Sequence, residues 1–279
     1  MRRTTLSDLD AAGIAAAFNR VYQGYAIPVA VDAAWAERHA RNFAIDLAAS
    51  PLWLDDDGQT VGLAVLGVRG DRGWVGGFGL APEHRGRGLG HRLLAEVVAA
   101  ARGIGLRKLQ LEVLTQNAPA IALYERGGFR RTRELRLLDG QAPSPAAGAP
   151  TAHAIDPGQI LREFDRLHPV PLSWQREAAS LAAMEDLRGV GVGDPGALRA
   201  ALLYQPGLDG AARIVDTGTS DTGHAAAEAL APVLAAVAAS QPGQTLRLIN
   251  EPEGSPVDDA LTRLGWCESG RQFEMDLGL

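Results

Sequence analysis

The sequence predicts an α+β protein made of two tandem domains, and three stretches carry the prediction. "LWLDDDGQTVGLAVLGVRGDRGWVGGFGLA" (52–81) reads as three strands joined by the short turns "DDDGQ" and "RGDRG", an antiparallel meander with helical patterns before and after it. "DGQAPSPAAGAPTAHAIDPG" (139–158) is rich in Pro, Ala and Gly, as a linker is. Beyond it, "DDALTRLGW" (258–266) echoes "IALYERGGF" (121–129), at a similar distance from a preceding Gly-led helix. That is the signature of a duplicated domain. The expected division is residues 1–138, a linker over 139–158, and a second domain over 159–279.

The elements follow in order. Ser7 is placed to cap a first helix, "DLDAAGIAAAFNRVY", which Gly24 and Pro28 then break. A second helix, "DAAWAERHARNFAIDLA", repeats Trp35, His39, Phe43 and Leu47 at every fourth position. After the three strands, Leu89, Leu93, Val97, Ala100 and Ile104 recur at helical spacing. "RKLQLEV" is a buried strand, Asn117 caps a short helix with Pro119 in its first turn, and "FRRTRELRLL" is a strand. In the second half, two strands fall in "RAALLYQPGLDGAARIVDTGTS" and a helix in "HAAAEALAPVLAAVAA". "TLRLINEP" is a strand, "SPVDDALTRLGW" a helix and "RQFEMDL" a strand.

Bulk properties exclude several classes. The net charge of −6 argues against a nucleic-acid-binding protein. No apolar run reaches the length of a membrane span, and the two arginines of "MRRTTLSDLDAAG" lead into no apolar stretch, so no signal peptide is expected. One cysteine, Cys267, excludes an intrachain disulfide. It stands beside Trp266 and is expected to be a buried core thiol. A cytoplasmic protein is the resulting expectation; nothing fixes an oligomeric state. The charge is also uneven. Residues 1–140 hold 18 Lys and Arg against 15 Asp and Glu, whereas residues 141–279 hold 9 against 18. An anionic ligand therefore belongs with the first half.

The chemistry starts at "HRGRGLGHRLL" (84–94), a Gly-rich turn between a strand and a helix. Unpaired N–H groups at a helix start, a favourable dipole and glycines without Cβ atoms suit such a turn to an anion. Dinucleotide spacing fails, because His91 stands where a third glycine belongs, and a Walker loop fails for want of lysine. Arg85-x-x-Gly88-x-Gly90 instead resembles the Arg/Gln-x-x-Gly-x-Gly/Ala signature of the GNAT (GCN5-related) N-acetyltransferases. "GFGLAPEHRGRG" ahead of it and "LEVLTQNAPAIALYERGGF" after it match the family's pattern as well.

The resemblance implies, in each domain, a mixed, mostly antiparallel central sheet flanked by helices. It implies acetyl-CoA as co-substrate and no metal. The pyrophosphate would rest on Arg85, Gly86, Arg87, Gly88, Leu89 and Gly90, and the pantetheine along Phe78, Leu80 and Ala81. The Leu80 N–H would polarise the thioester carbonyl. Asn117 would contact the pantetheine or order the parted strands. Tyr124, two helical turns after Asn117, would serve as the acid toward the departing thiolate, since a phenol (reference pKa about 10) can protonate a thiolate (about 8.5). Tyr22, Tyr25 and Pro28 are candidates for the acceptor pocket, and Glu112, Glu83 and His84 for the base that deprotonates the amine; a water chain serves equally.

The second half lacks this machinery. "DTGTSDTGH" holds no Arg-x-x-Gly-x-Gly, and Leu261 stands where Tyr124 stands in the first half. Ser220, Asp221 and His224 lie too close along one segment to make a triad. The resemblance thus implies a tandem GNAT protein with a degenerate second domain, transferring acetyl directly to an amine. The acidity of that domain tilts the acceptor toward a small cationic amine. The alternative is a non-catalytic acyl-CoA-binding or sensing protein.

Overall fold

The computed structural model describes residues 1–25, 30–144, 148–206, 212–239 and 243–279. By contact the chain forms two compact units. The first is Met1–Thr132 together with Phe273–Leu279; the second is Arg133–Gln272.

The first unit runs β1 (Arg2–Thr5), α1 (Ala11–Val21), α2 (Ala33–Asn42), β2 (Pro51–Leu54), β3 (Thr60–Arg69), β4 (Arg72–Leu80), α3 (Leu89–Gly103), β5 (Lys108–Leu114), α4 (Ala118–Arg126) and the start of β6 (Arg130–Gly140). Its sheet is ordered β1-β2-β3-β4-β5 and then the last strand of the chain. The first four strands pair antiparallel, and β4 with β5 is parallel. The sheet is therefore mixed and mostly antiparallel, as expected. One face buries Leu93, Leu94 and Val97 of α3 with Leu109, Leu111, Val113 and Met275. The other buries Ile14, Phe18 and Val21 of α1 with Leu52, Leu63 and Val65. Two apolar faces explain why β3 is buried along almost its whole length.

Local details differ from expectation for identifiable reasons. Asp10, not Ser7, caps α1: its carboxylate accepts from Gly13 N–H at 2.7 Å, while Ser7 lies in a short 3₁₀ turn and shares a hydrogen bond with Thr5. Helix α2 stops at Asn42, before Leu47. Ala44 adopts a left-handed φ of 53°, and Ile45 bridges to Gly67 instead. Strand β1, "RRTT", carries no apolar alternation and was not legible.

The second unit takes up the rest of β6, then β7 (His153–Ile155), α5 (Pro157–Arg162), α6 (Phe164–Leu167), α7 (Ala178–Ala182), β8 (Arg188–Asp194), β9 (Ala197–Pro206), β10 (Ala212–Thr219), α8 (Gly223–Ala238), β11 (Leu246–Pro252), α9 (Pro256–Arg263) and the start of β12 (Cys267–Gly278). Strands β10, β9, β8 and β7 form one antiparallel sheet, and β11 pairs antiparallel with β6. From β10 onward the order strand, helix, strand, helix, strand repeats that of the first unit from β4. Cys267 is exposed, not buried: Trp266 fills the core, while β12 opens on three exposed residues, Cys267, Glu268 and Ser269.

Candidate active site

The central feature is a parting of strands. β4 and β5 pair at Arg72–Lys108, Gly73–Leu109 and Trp74–Gln110, and no further. Beyond Trp74 the edge of β4 faces an opening. A bulge in β4 helps create it: Val75 opposes Leu66 and Gly77 opposes Val65, leaving Gly76 without a partner. Only glycine fits there, since a Cβ would lie 2.1 Å from the Trp74 ring.

Which amides face the opening follows from the ladder. Ala81 N–H donates to Val61 O (2.9 Å), so by antiparallel alternation the N–H groups of Leu80 and Phe78 point away from β3, toward the opening. Ala81 itself is used internally, because its carbonyl also accepts from His84 N–H. Phe78 N–H donates to the Tyr22 hydroxyl at 3.2 Å.

Several sequence-predicted residues converge here. Tyr22 follows α1 and stacks on Phe18, with ring centroids 5.2 Å apart. Tyr25 meets Tyr22 edge-on at 5.3 Å, and its hydroxyl hydrogen-bonds the Asn117 side chain. Asn117 also caps α4, accepting from Ala120 N–H at 3.3 Å. Tyr124 is buried and packs edge-on against Phe78 at 5.9 Å. Its phenol feels both Tyr22 and Tyr25 electrostatically. Burial pushes the Tyr124 hydroxyl well above the ordinary phenol range and Tyr22 up to about 12, so both keep their protons at neutral pH.

The Gly-rich turn is built as the sequence suggested, with different roles for its parts. Gly86 and Gly88 adopt left-handed φ of 72° and 75°, with open space where a Cβ would stand. Gly88 is the N-cap of α3 and supplies no side-chain cap, so the first N–H groups of the helix face outward. Gly90 serves packing: a Cβ there would press on Leu123 of α4 at 3.3 Å. Leu89 is partly buried against the α3-side core. The Arg85 guanidinium is spent on carbonyls, donating to Leu80 O (3.0 Å), Val21 O (2.9 Å) and Gln23 O (2.8 Å). It fastens the end of α1 to the end of β4. Arg87 is exposed.

Of the base candidates, Glu83 is exposed and paired with Arg20 at 2.6 Å. Half-buried Glu112, two residues past the last paired residue of β5, accepts from Trp74 Nε1 at 2.7 Å. Pro28 lies outside the described residues. Sequence reasoning passed over Trp74 and His39. His39 stacks on Trp35 at 4.4 Å and lies near Phe43 and Trp74. Its Nε2 is buried without a hydrogen-bond partner, and burial lowers its pKa to about 4. The every-fourth-residue aromatic stripe of α2 was the available signal.

The second unit is built differently at the corresponding strands. β10 and β11 belong to separate ladders, and a buried guanidinium bridges them. Arg176 donates to Asp216 of β10 (2.8 and 3.0 Å) and to Glu251 of β11 (2.5 Å), and to the carbonyls of Thr217 and Asn250. His168 Nε2 lies 2.9 Å from the other Asp216 oxygen, and the Ser255 hydroxyl donates to Glu251. Burial pushes Asp216 up, but His168 and Arg176 outweigh it and hold the carboxyl below its ordinary range. Ser220, Asp221 and His224 do not meet as a triad: Asp221 pairs with Arg199 and His224 with Glu228.

Among the described residues no helix is long and apolar enough to cross a membrane, and no cluster of three or more His, Cys, Asp or Glu offers a metal site. The profile of the acetyltransferase (GNAT) family matches residues 16–129. A mycothiol acetyltransferase of Clavibacter michiganensis is 41% identical over 76 residues, 27% of this chain and 25% of that protein. The uncharacterized N-acetyltransferase YycN of Bacillus subtilis is 46% identical over 55 residues, 20% of this chain and 35% of that protein. The chain thus matches only a quarter to a third of these relatives' lengths. In fold, a GCN5-related N-acetyltransferase of Sphaerobacter thermophilus superposes with a TM-score of 0.72 at 18% identity, covering 99% of this chain and 95% of that one. A tandem GNAT protein from the clavulanic acid biosynthesis pathway gives 0.67 at 15% identity, covering 99% and 98%.

Proposed function

We propose, on the premise that residues 16–129 form a domain of the acetyltransferase (GNAT) family, that the protein is an acetyl-CoA-dependent N-acetyltransferase with a single working site in its first unit. The observation that carries the reading is the parting of β4 from β5 beside the left-handed Gly86–Gly88 turn. An extended thiol arm fits along a strand edge that has parted from its neighbouring strand, and a diphosphate fits an open helix start.

Acetyl-CoA, when bound, supplies an acyl carbon activated as a thioester. The chain's own residues do the rest. The outward N–H groups over 86–90 hold the phosphates. The N–H groups of Phe78 and Leu80 line the thiol arm and polarise its carbonyl. Asn117 and Tyr25 brace each other across the opening. Tyr124 keeps its proton and donates it as a hydrogen bond to the departing thiolate; its raised pKa favours stabilising that charge over full proton transfer. Glu112 and water are the routes for the proton of the attacking amine. The acceptor is a small amine, with the acidic second half favouring a cationic one. The second unit, with Arg176 lodged between β10 and β11, does no chemistry. The reading predicts direct transfer, without an acyl-enzyme.

Calorimetric titration with acetyl-CoA, followed by detection of free CoA thiol across a panel of amines, amino acids, aminoglycosides and peptides, tests this. One equivalent bound and thiol release with at least one amine is expected. Binding without turnover on every class makes the protein an acyl-CoA sensor. Absence of binding removes both readings.

A further inference from the structure

We infer that the Tyr22 hydroxyl is a placeholder for the acyl oxygen, holding the seat at Phe78 N–H until the thioester arrives. The inference rests on the acetyltransferase reading above and adds a residue to it.

Phe78 N–H points into the opening where β4 has left β5, and a hydroxyl oxygen 3.2 Å away accepts its hydrogen bond. A carbonyl oxygen drawn to the same N–H needs the same place, because one N–H makes one well-aligned hydrogen bond. The hydroxyl is brought from 56 residues away in sequence. It is delivered by a ring stacked on Phe18 and bounded edge-on by Tyr25. The ring is therefore aimed, and a small tilt along the Phe18 face clears the seat. The arrangement has a reason. An amide facing a narrow, partly apolar opening loses hydrogen bonding when water is thin there, and such a group is costly to leave unmet. Tyr22 meets it internally and keeps β4 in shape between turnovers. Because its phenol stays protonated, it leaves the seat as a neutral group, at the cost of one neutral hydrogen bond.

The consequence is discrimination between acylated and free CoA. Both make the phosphate and thiol-arm contacts, but only the acetylated form carries an oxygen that competes for the seat. Tyr22 thus weakens acetyl-CoA binding selectively, by the worth of one exchanged hydrogen bond, about three- to ten-fold.

The test measures dissociation constants of acetyl-CoA and CoA for wild type and Tyr22→Phe. The expected result is acetyl-CoA binding about three- to ten-fold tighter in the variant, with CoA unchanged. An unchanged ratio of the two constants, or weaker acetyl-CoA binding, overturns the inference. Altered CoA binding reports a disturbed cleft, and the decision then passes to the wild-type protein. There, ¹⁵N-phenylalanine labelling gives six amide signals to assign. The Phe78 signal is expected to move markedly further with acetyl-CoA than with CoA; equal movement with both overturns the inference. A wild type that binds neither ligand removes the acetyltransferase reading itself.

Discussion

Replacing Arg176 by methionine asks how much of the second unit hangs on one guanidinium. The side chain is 1% exposed, and its two carboxylate partners, Asp216 and Glu251, are 2% and 1% exposed. Methionine fills most of the volume but takes the guanidinium from two buried carboxylates and two backbone carbonyls. Removing one partner of a buried ion pair costs about 3–5 kcal/mol, because the charge left behind has lost both water and counter-ion. Asp216 keeps His168 at 2.9 Å, whereas Glu251 keeps only the Ser255 hydroxyl, so Arg176→Met falls within that range, less what protonation recovers. With roughly 3 °C per kcal/mol for a unit of this size, the transition of the second unit falls by about 10–15 °C. The loss depends on pH with a definite sign. In wild type, Asp216 is held below its ordinary range, so its contribution is present above the unfolded carboxyl pKa and lost as pH falls through the folded value. In the variant Asp216 loses one of the two cations that hold it down, and its carboxyl rises. The gap between the two proteins therefore narrows toward pH 5 and widens toward pH 8. Denaturant unfolding followed by circular dichroism at both pH values measures it. A gap below about 1 kcal/mol, or one indifferent to pH, refutes the assignment of Arg176 as the charge holding β10 to β11.

Tyr124→Phe is expected to lower turnover about ten- to a hundred-fold while leaving acetyl-CoA affinity within two-fold, since its hydroxyl acts on charge that develops during the reaction; steady-state rates beside calorimetry check both, and unchanged turnover strikes Tyr124 from the reaction. His39 supplies a second pH signature. Its folded pKa of about 4 lies below the unfolded 6.5, so the unfolded state gains the proton first and stability falls as pH drops from 6.5 toward 4, by about 3 kcal/mol in full. His39→Phe is expected to flatten that slope in unfolding measurements at pH 7 and pH 5, and an equal slope in both proteins counts against burial as the cause.

Much of the first unit was legible because its signals are local. The meander, the α3 stripe, the Asn117 cap and the Gly-rich turn each depend on residues within a dozen positions, where periodicity and turn chemistry rule. The encounter of Tyr25 with Asn117 was not legible, because the two lie 92 positions apart and meet only in the fold. Other features depend on contacts that no local pattern announces. Arg85 looked like an anion ligand by composition, yet three carbonyls converge on it because α1 ends beside β4. Tyr22 meets Phe78 only through the packing of α1 on the sheet. Strand β1 is defined by its partner β2, as short exposed strands are. Nothing in the sequence singles out Arg176, since its carboxylates lie 40 and 75 positions away.

The seven residues from Phe273 to Leu279 belong to the first unit although the whole second unit precedes them in the chain. Met275 is fully buried in the core between α3 and β5, and Leu279 N–H donates to Arg107 O at 2.9 Å. Synthesis runs from the first residue to the last. The ribosome therefore releases most of the first unit with its core open and holds it so while some 140 further residues emerge. The unit begun first is closed only after the other has been made.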